Sequence, residues 1–166
     1  MKCLVCVWLL CVSLHCYSQK SYKIISVHDG DTFQIIKKGK KQSCRIASID
    51  APELKQSFGI ASRDNLRNLI LDKTVLIDSL GTDLYQRQIV AVRLQNVSLD
   101  SLLVRTGFAW HYVAYSKNPQ LKNLMQLSIN EELGIWKCGI VGACPPWLFR
   151  KFNFINKARN CNRCNY

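Results

Sequence analysis

The sequence predicts an α+β, mainly β fold: a five-stranded Greek-key barrel of the oligonucleotide-binding (OB-fold) type, with one helix after strand three and two packed C-terminal helices. Three observations carry this expectation. Five short runs rich in β-branched and aromatic residues lie between residues 21 and 94. A stretch of helical spacing separates the third run from the fourth, and two more helical stretches follow the fifth. Five strands interrupted by a helix after the third is the order such a barrel takes.

The first two strands are "SYKIISV" (21–27) and "DTFQIIKK" (31–38), and "KKGKK" places Gly39 where a hairpin turn needs a positive φ. Between them Asp29-Gly30-Asp31 interrupts the pattern, and Gly30 is expected to give the backbone freedom to bend. "QSCRIASI" (42–49) is the third strand of a meander. It ends at "DAPE", because Pro52 has no N–H for a ladder and holds Ala51 extended. From Gly59 onward Leu66, Leu69 and Ile70 share a helical face, with Arg63, Asp64, Arg67 and Asn68 elsewhere. "KTVLIDSL" (73–80) and "RQIVAVRL" (87–94) are strands four and five, joined by the polar "GTDLYQ". Ser98 is expected to cap a short helix that stops at Gly107. Asn118-Pro119 opens a longer one running to about Trp136, with Met125, Ile129, Leu133 and Trp136 on one stripe. A chain of 166 residues suits one domain. That domain is placed at 21–136, followed by a Cys-rich basic tail at 137–166.

Residues 1–18, "MKCLVCVWLLCVSLHCYS", are apolar from Cys3 to about Leu14. A membrane span needs roughly 20 apolar residues, so a secretory signal peptide, cleaved before Gln19, is the better reading. An uncleaved anchor is the alternative, and Ser13-Leu14-His15 lacks the small residues that a lipid-modified Cys16 would want. The expected location is secreted or periplasmic, with no stable membrane association after cleavage. The formal net charge is +12, and loss of Lys2 leaves 22 Lys and Arg against 11 Asp and Glu. Such an excess favours a polyanionic partner, nucleic acid or an anionic envelope surface, although a solvated basic face would carry the same charge. Five cysteines remain after cleavage: Cys44, Cys138, Cys144, Cys161 and Cys164. Export makes disulfides the first expectation for the last four. Their spacing also fits a tetrahedral zinc site, and free thiols are the third possibility. Cys44 lies in a strand pattern and reads as a small buried hydrophobe.

Asp31, Asp50 and Glu53 fall at strand ends, where a barrel can bring them together, and hard oxygen ligands suit Ca2+ or Mg2+. Alone, Asp-Gly-Asp is equally a turn. Arg45 lies five residues before Asp50 and Arg87 opens strand five; each offers a planar fork that grips a phosphate. An odd separation puts Arg45 and Asp50 on opposite faces of a flat strand, so a twist or bend must reunite them. Charge tests the grouping. Three carboxylates and a phosphodiester carry four negative charges, and a divalent cation with two arginines carries four positive. The set closes only with metal and phosphate present, as a phosphoryl-transfer site requires.

The stretches "ISVHDGDTFQI", "CRIASIDAPE", "TDLYQRQIVAVRL", "LLVRTGFA" and "LGIW" resemble, in order and spacing, the staphylococcal nuclease-like (thermonuclease) family over residues 22 to 136. The resemblance implies that Asp31 and Asp50 are Ca2+ ligands and that Ala51 gives a carbonyl ligand. Ala51 replaces a Thr of the best-known member, which a backbone ligand tolerates. It implies further that Glu53 orients or deprotonates the attacking water, and that Arg45 and Arg87 bind the scissile phosphate. Tyr85 and Tyr115 match nucleotide-contacting tyrosines, with Tyr112 competing for the second place. The implied reaction is calcium-dependent hydrolysis of DNA and RNA at the 5′ P–O bond, leaving 3′-phosphates, by a monomer that favours single strands. Departures are Leu84 in place of a nucleotide-binding Lys, a short "LKQSFGIAS" before the helix, and a tail without counterpart.

Around this set, Asp29 is expected to support the turn, and Asp83 to cap the turn before Tyr85 and steady Arg87. His28 reads as a strand-end residue and His111 as a surface or substrate-flanking one. Trp110 and Tyr112 could stack on bases or simply pack. The alternative function is a catalytically silent nucleic-acid or partner-binding domain, which would have no reason to keep three acids beside a phosphate.

Overall fold

The computed structural model describes residues 20–152 together with Ile155, Asn156 and Cys161, so the expected signal peptide and Cys164 lie outside the described residues. The chain forms β1 (Lys20–Val27), β2 (Thr32–Lys37), β3 (Lys40–Ile46), β4 (Ile49–Asp50), α1 (Gly59–Ile70), β5 (Thr74–Thr82) and β6 (Gln88–Leu94). Then come β7 (Val97–Ser98), α2 (Leu99–Arg105), β8 (Trp110–His111), α3 (Pro119–Asn130), a 3-10 turn (Gly134–Trp136), α4 (Gly139–Gly142) and α5 (Pro146–Lys151). Among the described residues no helix is long and apolar enough to cross a membrane.

The five long strands close on themselves in the order β3-β2-β1-β5-β6, with β7 as an extra strand beside β6. Closure is made by a parallel pairing of β3 with β6, Cys44 opposite Gln88 and Arg45 opposite Ile89. Irregular registers between Ile24 and Ser26 in β1 and between Ser79 and Gly81 in β5 add the local twist that a small barrel needs. Lys38 and Gly39, both at positive φ, make the tight β2–β3 turn as expected.

Inward residues of the strands, among them Ile24, Phe33, Ile35, Cys44, Val75 and Val90, are buried against Leu66 and Ile70 of α1 and against Leu103 and Leu121 of α2 and α3. Burying each such side chain contributes about 1.5–3 kcal/mol. The core therefore sits inside the barrel and under the helices, and the polar corner at the end of β1 is left for chemistry.

Four local expectations are corrected. The third strand does not run to Ile49: it stops at Ile46, turns through Ser48 at φ 67°, and restarts as β4, which pairs with β8. Gly30 is not at a positive φ; it is glycine because a Cβ there would lie 2.1 Å from Ser62 Oγ and 2.7 Å from Ala51 Cβ. Ser98 stands at the N-cap of α2, but its hydroxyl bonds the Asp100 carboxylate and caps no backbone N–H. The last long helix ends at Asn130, because Glu132 adopts φ 52° and the N–H groups of Glu132 and Leu133 return to Ile129 O and Ser128 O. That is a Schellman stop with a glutamate in the usual glycine place. The chain then passes Gly107, whose added Cβ would fall 2.2 Å from Leu133 O, and Trp136 is buried from a separate turn.

Candidate active site

The corner between β1 and β2 is built by its own side chains. Asp29 Oδ1 accepts from the Asp31 N–H at 3.0 Å, an Asx turn that aims Asp31 into the barrel mouth. Asp31 Oδ1 accepts from Thr32 Oγ1 at 3.0 Å and its Oδ2 from the Ala51 N–H at 2.8 Å, which ties this corner to β4. The break after β3 settles the face problem, because the turn through Ser48 resets the alternation. Arg45 then donates to the Ile49 carbonyl at 3.0 Å and to Asp50 Oδ1 at 2.8 Å. The same Nη2 stands 3.3 Å from Asp31 Oδ2, so one guanidinium bridges both acids.

Asp31 and Asp50 are almost wholly buried, at 5% and 1% exposure. Burial pushes the Asp50 carboxyl upward and the Asp31 charge adds to this, while bonds from Arg150 and Arg45 pull back. Asp29 is raised to about 6, first by burial and then by the neighbouring Asp31 charge. Burial would lower Arg45, but Asp31, Asp50 and Asp29 outweigh it and hold its proton more tightly. Among the described residues no three His, Cys, Asp or Glu side chains stand close enough to share one ion. The donor chemistry present is a buried pair of carboxylates with oxygen only, which fits a hard cation completed by carbonyl and solvent oxygens.

Arg87 is fixed as expected. Asp83 accepts from the Tyr85 and Arg87 N–H groups, both at 2.9 Å, and from Arg87 Nε at 2.8 Å. Burial would raise Asp83, but these bonds and the Arg87 charge hold it below the usual carboxylate range. Arg87 Nη1 reaches Thr32 Oγ1 at 3.5 Å, placing this arginine beside the Asp31 corner. Tyr85 is 80% exposed, and Arg87 lies 5.6 Å from its ring centroid. Tyr115, also exposed, meets Tyr112 at 4.9 Å between ring centroids, and Tyr112 in turn stacks on Trp147.

One placement differs from expectation, one open reading is decided and one contact was not anticipated. His111 is buried in β8 at 2% exposure, opposite Ile49, with neither ring nitrogen in a well-formed hydrogen bond; it does not flank a substrate. Trp110 packs edge-on against Trp136 and Trp147, so it is structural. Unforeseen is Arg150 of α5, which donates to Asp50 Oδ2 and to Glu53 Oε1, each at 2.7 Å. Glu53, 39% exposed at its side chain, meets Asp50 only through this guanidinium. An open cleft of about 420 Å³ lies beside them, lined by His28, Asp29, Glu53, Lys55 and Arg150. Among the described residues of the tail, Cys144 is bonded to Cys161 and Cys138 is also in a disulfide, so neither zinc nor free thiols describe these three. The one sequence signal for α5 was Pro145-Pro146 ahead of an apolar run, a helix start.

The chain is similar in sequence to known proteins. A family model described as "Staphylococcal nuclease homologue" matches residues 43–138. An "Uncharacterized endonuclease" of Escherichia coli O157:H7 is 31% identical over 142 residues, 85% of this chain and 88% of that protein. A protein of the same description from Haemophilus influenzae is 34% identical over 115 residues, 69% of this chain and 65% of its own length. The "Probable staphylococcal-like nuclease CAN3" of Oryza sativa subsp. japonica is 30% identical over 80% of this chain, which spans 33% of that protein.

Proposed function

The chain belongs to the family of staphylococcal nuclease homologues, and from that premise we propose that it is a secreted or periplasmic, Ca2+-dependent nuclease acting on DNA and RNA. The observation that carries this reading is the convergence of Asp31, Asp50 and Arg45 at one barrel mouth, with Arg87 steadied by Asp83 against Thr32. Asp31 and Asp50, with the Ala51 carbonyl, would hold the ion. Bound calcium would supply charge neutralisation at a phosphoryl oxygen and raise the acidity of water.

The chain's own groups do the rest. Arg45 and Arg87 bind the equatorial oxygens of the scissile phosphate and stabilise the charge that grows there. Glu53 takes the proton of the attacking water as the new P–O bond forms. The P–O5′ bond breaks, the 5′ oxygen takes a proton from solvent water and leaves as a hydroxyl, Glu53 returns its proton to the resulting hydroxide, and the phosphate stays on the 3′ side. Tyr85 and Tyr115, both exposed, offer faces for unstacked bases, which favours single strands. The disulfides of Cys138, Cys144 and Cys161 support an exported enzyme, which is read as a monomer.

The purified protein is expected to degrade heat-denatured DNA with calcium and to lose that activity in chelator; undiminished activity in chelator removes the metal from the reading. Arg87→Ala is expected to lower turnover by about 100-fold or more. A change within about twofold would take Arg87 out of the transition state. A catalytically silent binding domain, the alternative, gives no cleavage under any of these conditions.

A further inference from the structure

Arg150 is a cation that the proposed reaction does not require. The acids, a divalent ion, Arg45, Arg87 and a phosphodiester already balance, and a third arginine leaves one positive charge in excess. Yet Arg150 comes from 97 and 100 residues downstream to bond Glu53 Oε1 and both oxygens of Asp50, the latter at 3.2 and 2.7 Å. Asp50 Oδ1 is shared with Arg45 as well. A carboxylate has a fixed number of lone pairs, and those given to a guanidinium are withheld from a metal ion.

The approach of α5 is not incidental. Trp147 stacks on Tyr112 at 5.2 Å and 12° and meets Trp110 edge-on at 5.4 Å. Gln56 Nε2 donates to the Cys144 carbonyl, Cys144 is bonded to Cys161, and Phe149 is buried against both cysteines. Arg150 is thus presented to the acids at a high effective concentration, which makes a single guanidinium a serious competitor.

We propose that Arg150 is a tethered competitor for the Asp50 and Glu53 oxygens: it sets the affinity of the site for calcium and must be displaced when the ion enters. The proposal rests on reading Asp50 and Glu53 as the metal and water side of the site. In this arrangement the tail lowers metal affinity, and its docking determines how much free calcium switches the site on.

Calorimetric titration of the full chain with calcium tests this without reference to catalysis. Arg150→Gln is expected to tighten calcium binding by about tenfold or more, the size of one charge-assisted pair that no longer has to be broken. Lys55→Gln removes a charge from the rim of the same cleft and is expected to change affinity by less than about threefold. Trp147→Ala, which loosens α5, is expected to tighten binding in the same direction as Arg150→Gln. Equal effects of Arg150→Gln and Lys55→Gln, or weaker binding by Arg150→Gln, would overturn the competitor. Unchanged affinity in Trp147→Ala would overturn the tether. Calcium binding by none of the variants, or binding that survives Asp50→Asn, would overturn the metal reading itself and the proposal with it.

Discussion

Each functional arginine of the barrel is held by an acid before any phosphate arrives. Asp83 spends three hydrogen bonds on the turn that carries Arg87, and Arg45 is pinned by two carbonyls and two carboxylates. Fixing the planes of these guanidiniums lowers the ordering cost at the moment of binding. A different residue sets an acid limit on the fold. His111 is buried, and burial lowers its pKa from 6.5, against opposing pulls from the Ser116 backbone and the Asp100 charge. The unfolded chain therefore takes up the proton first. The stability contributed by a neutral His111 is complete above pH 6.5 and declines as the pH falls below it, by up to about 1.4 kcal/mol per pH unit. Urea melts at pH 7.5 and 5.5 should show this decline, and His111→Leu should flatten it; an equal slope in the variant would acquit His111. That Asp31, Asp50 and Arg45 meet at one corner was legible in the sequence, because acids at strand ends and the family resemblance both point there. The burial of His111 was not, since it depends on β8 pairing with β4, and neither two-residue strand has a periodicity to detect.

Among the elements, the β1–β2 corner couples packing to the site. Gly30 passes so close to α1 and β4 that a methyl group would strike Ser62 and Ala51, and Ser62 Oγ is already committed to the Phe108 carbonyl at 2.6 Å. Gly30→Ala should therefore cost about 1–3 kcal/mol through overpacking. It should also move Asp31 away from the Ala51 N–H, so that calcium affinity falls along with the melting temperature. A stable variant with unaltered calcium binding would separate the corner from the site. The strands were readable from their β-branched runs, and the turn at Gly39 from its residues. Where α3 ends was hidden, because a left-handed stop is written with Gly or Asn in most helices and here it is Glu132. Likewise α5 could be seen as a helix start, but no local pattern says that its Arg150 returns to acids near residue 50. That information lies in tertiary packing by Trp147, Phe149 and a disulfide.

For the whole molecule, barrel closure and site assembly are one event. Arg45 lies on β3 and Arg87 directly before β6, and these strands become neighbours only through their parallel pairing, Cys44 opposite Gln88, after α1 and β5 have been laid down between them. Contacts so distant along the chain form late and slowly. In a refolding experiment followed by pulsed hydrogen exchange, cleavage activity should return after the amides of β1 to β3 gain protection, and simultaneous recovery would contradict this order. Under the proposed function, an unfinished chain thus carries the residues of the reaction without the ability to perform it. The nucleic acid around an unfinished copy is protected by time rather than by an inhibitor.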